Sequence, residues 1–358
     1  MSQSDSQPNV GVVEIPQKKF KCPVCGKSVL NLQWHIYKWH PDKYVEKSPP
    51  LETYKTIEET KTVKSSNGIE ILPVKADDYM VKSVPKYVPI GPELQIFEAH
   101  LESGIPILLV GPKGEGKTLS LAYFAYTKNI PIIQFDCSEN TKRFDLIGRF
   151  IIQGDQVKYL LGAMPTAIEV ANQKGAAMLV LEEINALTPQ QQKVLNQLLD
   201  WRRHVYIPEI GKTYRLKEGV KFLIAATMNP STYGGVFELN EDLKSRFAEY
   251  VFFYPSKEDE KKILNEVTVN LDDQLKEKLI LLASETRAGV NRGELSYALS
   301  TRDLVMFANV YNSYLKVFGN ETFALKYALK VTVVNRYTDK QEIETIKARI
   351  VSIFGEEV

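Results

Sequence analysis

The sequence predicts an α/β fold: a mostly parallel, buried sheet with interleaved helices, followed by a helical domain and preceded by a small cysteine- and histidine-bearing knot. Three observations predict it. Five short apolar runs, IPILLV (105–110), PIIQFD (131–136), AMLVLE (177–182), KFLIAAT (221–227) and EYVFF (249–253), are separated by stretches of helical pattern. That alternation is the mark of βαβ units whose strands are covered on both faces. After Pro255 the strand runs give way to helical stretches near 271–287, 300–318, 322–336 and 339–354. Near the start, Cys22, Cys25, His35 and His40 fall within one short segment.

The chain has 358 residues, room for two or three folded units. Apolar residues make up 44% and charged residues 25%, ordinary values for a soluble globular protein. A net charge of +1 gives no whole-surface case for nucleic acid or membrane binding. The charge is uneven, however: from Gln17 to Lys47 there are seven lysines against Asp42 and Glu46. Three cysteines do not make a disulfide framework, which predicts a reducing, cytoplasmic setting. Residues 1–19 are polar, without the apolar core of a secretory signal, and read as a flexible N-terminus. No apolar run approaches the roughly 20 residues of a membrane helix, so no membrane partner is expected.

Residues 20–42 form the knot. Cys22 and Cys25 have the C-x2-C spacing of a zinc knuckle; nine residues later His35 and His40 lie about one helical turn apart. Tetrahedral Zn2+ is satisfied by four such ligands. Phe20, Leu30 and Leu32 are candidates for its small core. The nine-residue middle is shorter than the roughly twelve residues of standard DNA-reading fingers, so the segment resembles a shortened Cys-Cys-His-His finger. Residues 43–85 follow as a linker. Within it TYKTIEETKTV and GIEILPV, split by Ser65-Ser66-Asn67-Gly68, read as a β-hairpin and equally as an unstructured connection.

Residues 86–255 form the α/β core, and its first strand leads into GPKGEGKT: Gly111, Pro112, Lys113, Gly114, Glu115, Gly116, Lys117 and Thr118. Polyphosphate needs converging backbone N–H groups, so glycines let the chain turn closely around it, and the following helix contributes its positive end. With a strand before and a helix after, this is a phosphate loop in its required context; Lys117 would reach the β- and γ-phosphates and Thr118 would offer its hydroxyl to Mg2+. ATP and Mg2+ are thus the expected ligands. The apolar strand MLVLEEIN ends in two carboxylates. Glu182 is placed to hold the metal and Glu183 to orient the attacking water; the alternative is two exposed glutamates at a strand end. Thr188, Pro189 and Gln191 form a helix start, as do Ser256 and Asp259.

GPKGEGKT, VLEEIN, ATMNP (226–230), LKSRF (243–247) and LSTRDLV (299–305) occur in the order found in AAA+ ATPases. CSENTKRFDLIGRF (137–150) and ATMNPSTYGGVFELNEDLKSRF (226–247) resemble the MoxR branch, particularly its CbbQ- and NorQ-like members; midasin and dynein modules share parts of the second segment. The resemblance spans about residues 85–358 and implies a P-loop AAA+ core with a helical lid at 256–358. It assigns Asn229 to sensor 1 and Arg302 to sensor 2. Arg246 matches the arginine finger, supplied by a neighbouring subunit, with Arg143 and Arg149 as rival arginines nearby. RFIIQGDQVKYL (149–160) and HVYIPEIGKTYRLK (204–217) resemble the two hairpin inserts of this branch. Phe150, Ile151, Ile152 and Tyr159 are then candidate substrate contacts, or ordinary hairpin residues with one buried face. One departure is Glu182, where the family's motif has aspartate; the longer arm alters the metal geometry.

These features imply an ATPase working as a homo-oligomer, a hexameric ring, that remodels a bound protein, with the finger selecting the target. Two alternatives stay open. The lysines with Trp34, Tyr37 and Trp39 suit a DNA-directed motor, and Glu182 suits a nucleotide switch that does not hydrolyse. Tyr87, Val88 and Ile90 are placed by position near the base, and GTP is not excluded.

Overall fold

The computed structural model describes residues 68–230, 237–269 and 271–358, with the backbone of three short strands at 20–21, 28–29 and 63–64. The chain divides into two units, Met1–Thr60 and Lys61–Val358. In the first, β1 (Phe20–Lys21) pairs antiparallel with β2 (Ser28–Val29), Phe20 opposite Val29. The predicted zinc ligands Cys22, Cys25, His35 and His40 lie outside the described residues.

The second unit opens with β3 (Val63–Lys64) and β4 (Glu70–Ile71). Helix α1 (Glu93–Ser103) then leads to β5 (Ile107–Val110), α2 (Lys117–Lys128) and β6 (Ile132–Asp136). Next come α3 (Arg143–Ile147), the hairpin β7 (Gly148–Gln153) and β8 (Gln156–Leu161), and α4 (Ala163–Lys174). β9 (Ala176–Glu182), α5 (Pro189–Leu199) and the hairpin β10 (His204–Ile207) and β11 (Lys212–Arg215) follow. β12 (Lys221–Met228), α6 (Glu241–Lys244) and β13 (Ala248–Val251) complete the α/β part. The C-terminal helices are α7 (Lys257–Val267), α8 (Asp273–Asn291), α9 (Thr301–Phe318), α10 (Glu321–Thr332) and α11 (Lys340–Phe354).

All five predicted core strands form, and they make one parallel sheet in the order β13-β5-β12-β9-β6. Side chains alternate across it, as the pleat requires. Met178 and Val180 face Phe97, Leu121 and Phe124 of α1 and α2, whereas Leu179 and Leu181 share the opposite core with Met164, Ile168 and Leu195 of α4 and α5. Burial on both faces is why these runs are continuously apolar. The C-terminal helices enclose a separate core around Leu279, Leu282, Leu304, Phe307, Leu329, Ile346 and Ile350. The two expected helix starts are built as read: Gln191 Oε1 accepts from the Thr188 amide at 2.6 Å, and Ser256 Oγ accepts from the Asp259 amide at 3.1 Å.

The second unit begins at Lys61, within the segment read as a linker or a hairpin. β4 pairs antiparallel with β3 and parallel with β8, giving a four-stranded sheet β3-β4-β8-β7, and the Leu72 amide donates to the Tyr159 carbonyl at 2.9 Å. Ile71 and Ala76 are buried in the main core. The segment folds because the hairpin insert offers an edge whose backbone groups need partners. Tyr159, expected as a substrate contact, is fully buried there, its ring edge-on to Phe150 at 5.2 Å. Strand β4 pairs along the β8 edge beside it, Ile71 opposite Tyr159, and both side chains lie in the main core. Phe150 and Ile152 stay exposed, and Ile151 is half-buried.

Candidate functional site

Three adjacent strands deliver the site. Register pairs Met228 with Val110 and Ala226 with Leu181, so β5, β12 and β9 end at one level. At or just beyond those ends lie residues 111–118, Asn229, and Glu182, the last residue of β9, with Glu183. Carboxyl ends of parallel strands are where α/β sheets place their ligands, because the connecting loops there leave a crevice.

The loop turns through Gly114 at φ 83° and Gly116 at φ 82°, values a side chain resists. Lys117 opens α2 and is buried. Its Nζ donates to the carbonyls of Gly111 (2.7 Å) and Pro112 (2.6 Å) and to Asn229 Oδ1 (3.2 Å). Burial pulls its pKa down to about 8, against the upward pull of Glu115 and Glu183.

Thr118 Oγ1 donates to Glu182 Oε2 at 2.9 Å, and Gln134 Nε2 donates to the other Glu182 oxygen at 3.2 Å. Burial raises the pKa of Glu182, and neighbouring Asp136 and Glu183 add to the rise. A hydroxyl and a carboxylate side by side are hard oxygen donors of the kind Mg2+ takes with substrate phosphates, so these residues fit that ion. The extra methylene of Glu182 does not remove it from the threonine.

Glu183 ends the strand in the left-handed region, φ 50° and ψ 50°. Its amide donates to Thr227 Oγ1 at 3.1 Å, which holds the turn. Its carboxylate accepts from Asn229 Nδ2 at 3.2 Å and lies 3.9 Å from Lys113 Nζ. Asn229 therefore joins Lys117 to Glu183 through one amide side chain. Asn185 Nδ2 donates to the Asn229 carbonyl at 3.1 Å. Sequence reasoning missed Thr227, Gln134 and Asn185; the only sequence signal was a threonine inside an otherwise apolar strand.

Arg302 reaches the same place from the helical region. Its amide donates to the Gly114 carbonyl at 3.3 Å. With Tyr87, Val88, Ile90, Gly116 and Thr118 it lines a cleft of about 370 Å3. Tyr87 is held there by donation to Glu93 Oε1 at 2.6 Å. Glu115, an unspecified position of the phosphate loop, is buried between the two parts. It accepts from the Thr301 amide (3.1 Å) and faces Thr301 Oγ1 at 2.8 Å. Burial pushes its pKa up to about 7.

Arg246 is elsewhere. It pairs with Asp242 at 2.9 Å, and two residues later Ala248 aligns with Ile107, the first residue of β5. The phosphate loop begins beyond the last residue of that strand, roughly 13 Å further at about 3.3 Å per residue. Arg143 pairs with Glu209 at 2.5 Å, and Arg149 lies over the Phe144 ring at 5.6 Å. Among the described residues no cluster of three His, Cys, Asp or Glu side chains is placed to hold a metal, and no helix is long and apolar enough to cross a membrane.

Comparison with known proteins agrees with this geometry. Residues 106–247 match the AAA domain of the dynein-related subfamily, and residues 260–353 match the CbbQ/NirQ/NorQ C-terminal domain. Protein CbbQ of Hydrogenophilus thermoluteolus is 30% identical over 64% of this chain and 82% of its own length. Protein NorQ of Paracoccus denitrificans is 26% identical over 79% of this chain and 98% of its own. The denitrification regulatory protein NirQ of Stutzerimonas stutzeri is 27% identical over 69% and 85%. A phosphate loop, two strand-end glutamates and an α/β part joined to a matching helical domain thus coincide, and the chain belongs to the CbbQ/NirQ/NorQ family of MoxR-type AAA+ ATPases.

Proposed function

We propose that the chain hydrolyses ATP at this site as part of an oligomeric ring, a hexamer, and uses the reaction to remodel or activate a bound protein. The observation that carries the site reading is the continuous set Lys117–Asn229–Glu183 beside Thr118–Glu182. In this reading the loop amides and Lys117 grip the phosphates. Thr118 and Glu182 would hold Mg2+, which when bound neutralises phosphate charge. Glu183 orients the attacking water, and Asn229 fixes the Glu183 carboxylate. Arg302 adds positive charge from the lid, and Arg246 serves a neighbouring subunit's site, a reading supported by its distance from its own loop. Groups fixed before the reaction lower its barrier without rearranging during it, and the Asn229 contact fixes Glu183 in that way.

The test is Glu183→Gln. It is expected to keep ATP binding and reduce turnover by about 100-fold or more, because an amide cannot accept the water's proton. Normal hydrolysis by that variant would remove Glu183 from its role.

Cys22, Cys25, His35 and His40 are proposed to bind zinc and to select the target. The lysines and aromatics of residues 20–47 favour a second reading in which that target is DNA. ATPase stimulation by duplex DNA separates the two; a protein target predicts none.

A further inference from the structure

The first turn of α9 carries Arg302, and each of its amides has a different kind of partner. An isolated helix leaves its first amides unpaired. Here Ser300 is the cap residue, and the Asp303 amide donates to Ser300 Oγ at 3.4 Å. The other two amides are taken by the phosphate loop: Thr301 donates to Glu115 Oε1 at 3.1 Å and Arg302 donates to the Gly114 carbonyl at 3.3 Å. The contact is close enough that a methyl group at Gly114 would meet Ser300 Oγ at 2.3 Å. One helix start is therefore finished by a loop almost two hundred residues earlier in the chain.

The side-chain chemistry is equally specific. Thr301 Oγ1 lies 2.8 Å from Glu115 Oε2 and 3.1 Å from Glu260 Oε1. A hydroxyl has one proton, so Thr301 Oγ1 shares it between the two carboxylates, with the shorter contact to Glu115. Arg287 makes a two-pronged pair with Glu260, at 2.6 and 3.2 Å, so the Glu260 oxygens already accept from a guanidinium. Both oxygens of Glu115 are thus engaged by the first residue of α9, Oε1 by the Thr301 amide and Oε2 by the Thr301 hydroxyl. The groups facing Glu115 are Glu260 from α7, Arg287 from α8, Thr301 from α9 and Lys117 from the start of α2. Burial next to Glu260 favours the protonated form.

We propose that Glu115 is a positioning residue: its carboxyl group caps α9 across the domain junction and so holds Arg302 at the phosphate loop. The proposal rests on Arg302 acting at the nucleotide site. Substituting Glu115 then acts through Arg302, and the two substitutions share one effect.

Steady-state ATPase kinetics of the full chain test it with Glu115→Ala, Glu115→Gln, Arg302→Ala and the double Ala variant, each checked for folding by its melting temperature. Arg302→Ala is expected to lower kcat/KM by about tenfold or more, and Glu115→Ala to follow it in the same direction; the double variant falls no further than Arg302→Ala alone. Glutamine keeps the length and an oxygen that accepts from the Thr301 amide, and its NH2 donates to Thr301 Oγ1, whose proton then goes to Glu260, so Glu115→Gln stays within about threefold of the parent enzyme. If Glu115→Ala does not fold, Thr301→Val replaces it, since it removes only the hydroxyl contacts. Effects of the two single substitutions that multiply in the double variant overturn the latch, as does a glutamine variant as poor as alanine. Arg302→Ala with unchanged kinetics overturns the role of Arg302 itself, and the latch with it.

Discussion

Glu183 sits in a backbone conformation that costs a side-chain-bearing residue about 1–3 kcal/mol. The strained turn is held by hydrogen bonds from its amide to Thr227 Oγ1 and from the Ala186 amide to its carbonyl at 2.7 Å. Thr227→Val keeps the shape and removes the acceptor. Turnover is expected to drop by about tenfold while nucleotide affinity changes by less than about twofold, because the carboxylate is misaimed rather than lost. Equilibrium nucleotide binding beside single-turnover kinetics checks it. Glu115 makes a different residue-scale statement. Its folded-state pKa, about 7, lies above the ordinary value of 4.5. The folded protein thus binds this proton more tightly than the unfolded chain. The stability it contributes is present below pH 4.5 and is lost as pH rises to about 7. Melting curves should therefore show Glu115→Gln gaining on the parent protein across that window; a constant difference would contradict the assignment.

Strands and helices were legible wherever burial is two-sided or a cap is local. LLV and MLVL read as strands because neither face meets water, and Ser256 caps α7 with a residue three positions away. β4 was harder to read. Two paired residues carry little pattern, and their reason to be a strand lies in the edge of β8 far along the chain. Ile71 is 3% exposed within that pairing. Ile71→Ala is expected to destabilise the second unit by about 2–5 kcal/mol, the cost of a large-to-small change in a packed core. Chemical denaturation measures it; an effect below about 0.5 kcal/mol, typical of surface sites, would mean that the segment does not belong to this core. The same pairing explains why Tyr159 is interior although its neighbours Phe150 and Ile152 are exposed.

For the whole molecule, the sheet separates two jobs. The phosphate loop lies past the end of β5, whereas Arg246 precedes a strand that starts level with the beginning of β5. That separation supports the proposal that Arg246 acts at a neighbouring chain's nucleotide. Arg246→Ala is expected to bind ATP normally and to turn over about 100-fold more slowly, with parent activity rising more than linearly with protein concentration. Mixing Arg246→Ala with Lys117→Ala chains should restore part of the activity, as each supplies what the other lacks; activity of the parent chain strictly proportional to concentration down to a monomer would exclude the shared site.

The sequence by itself determined the phosphate loop, the paired glutamates, the five core strands and the helical C-terminal part. Each depends on neighbours in the chain: glycines that permit a turn, alternating faces of a strand, a cap three residues from its donor. Tertiary structure alone decided that Glu115 would be buried against Thr301, that β4 would join β8, and that Tyr159 would be core. Those outcomes depend on which surfaces meet, and the free energy of burying a group belongs to the contact rather than to the residue.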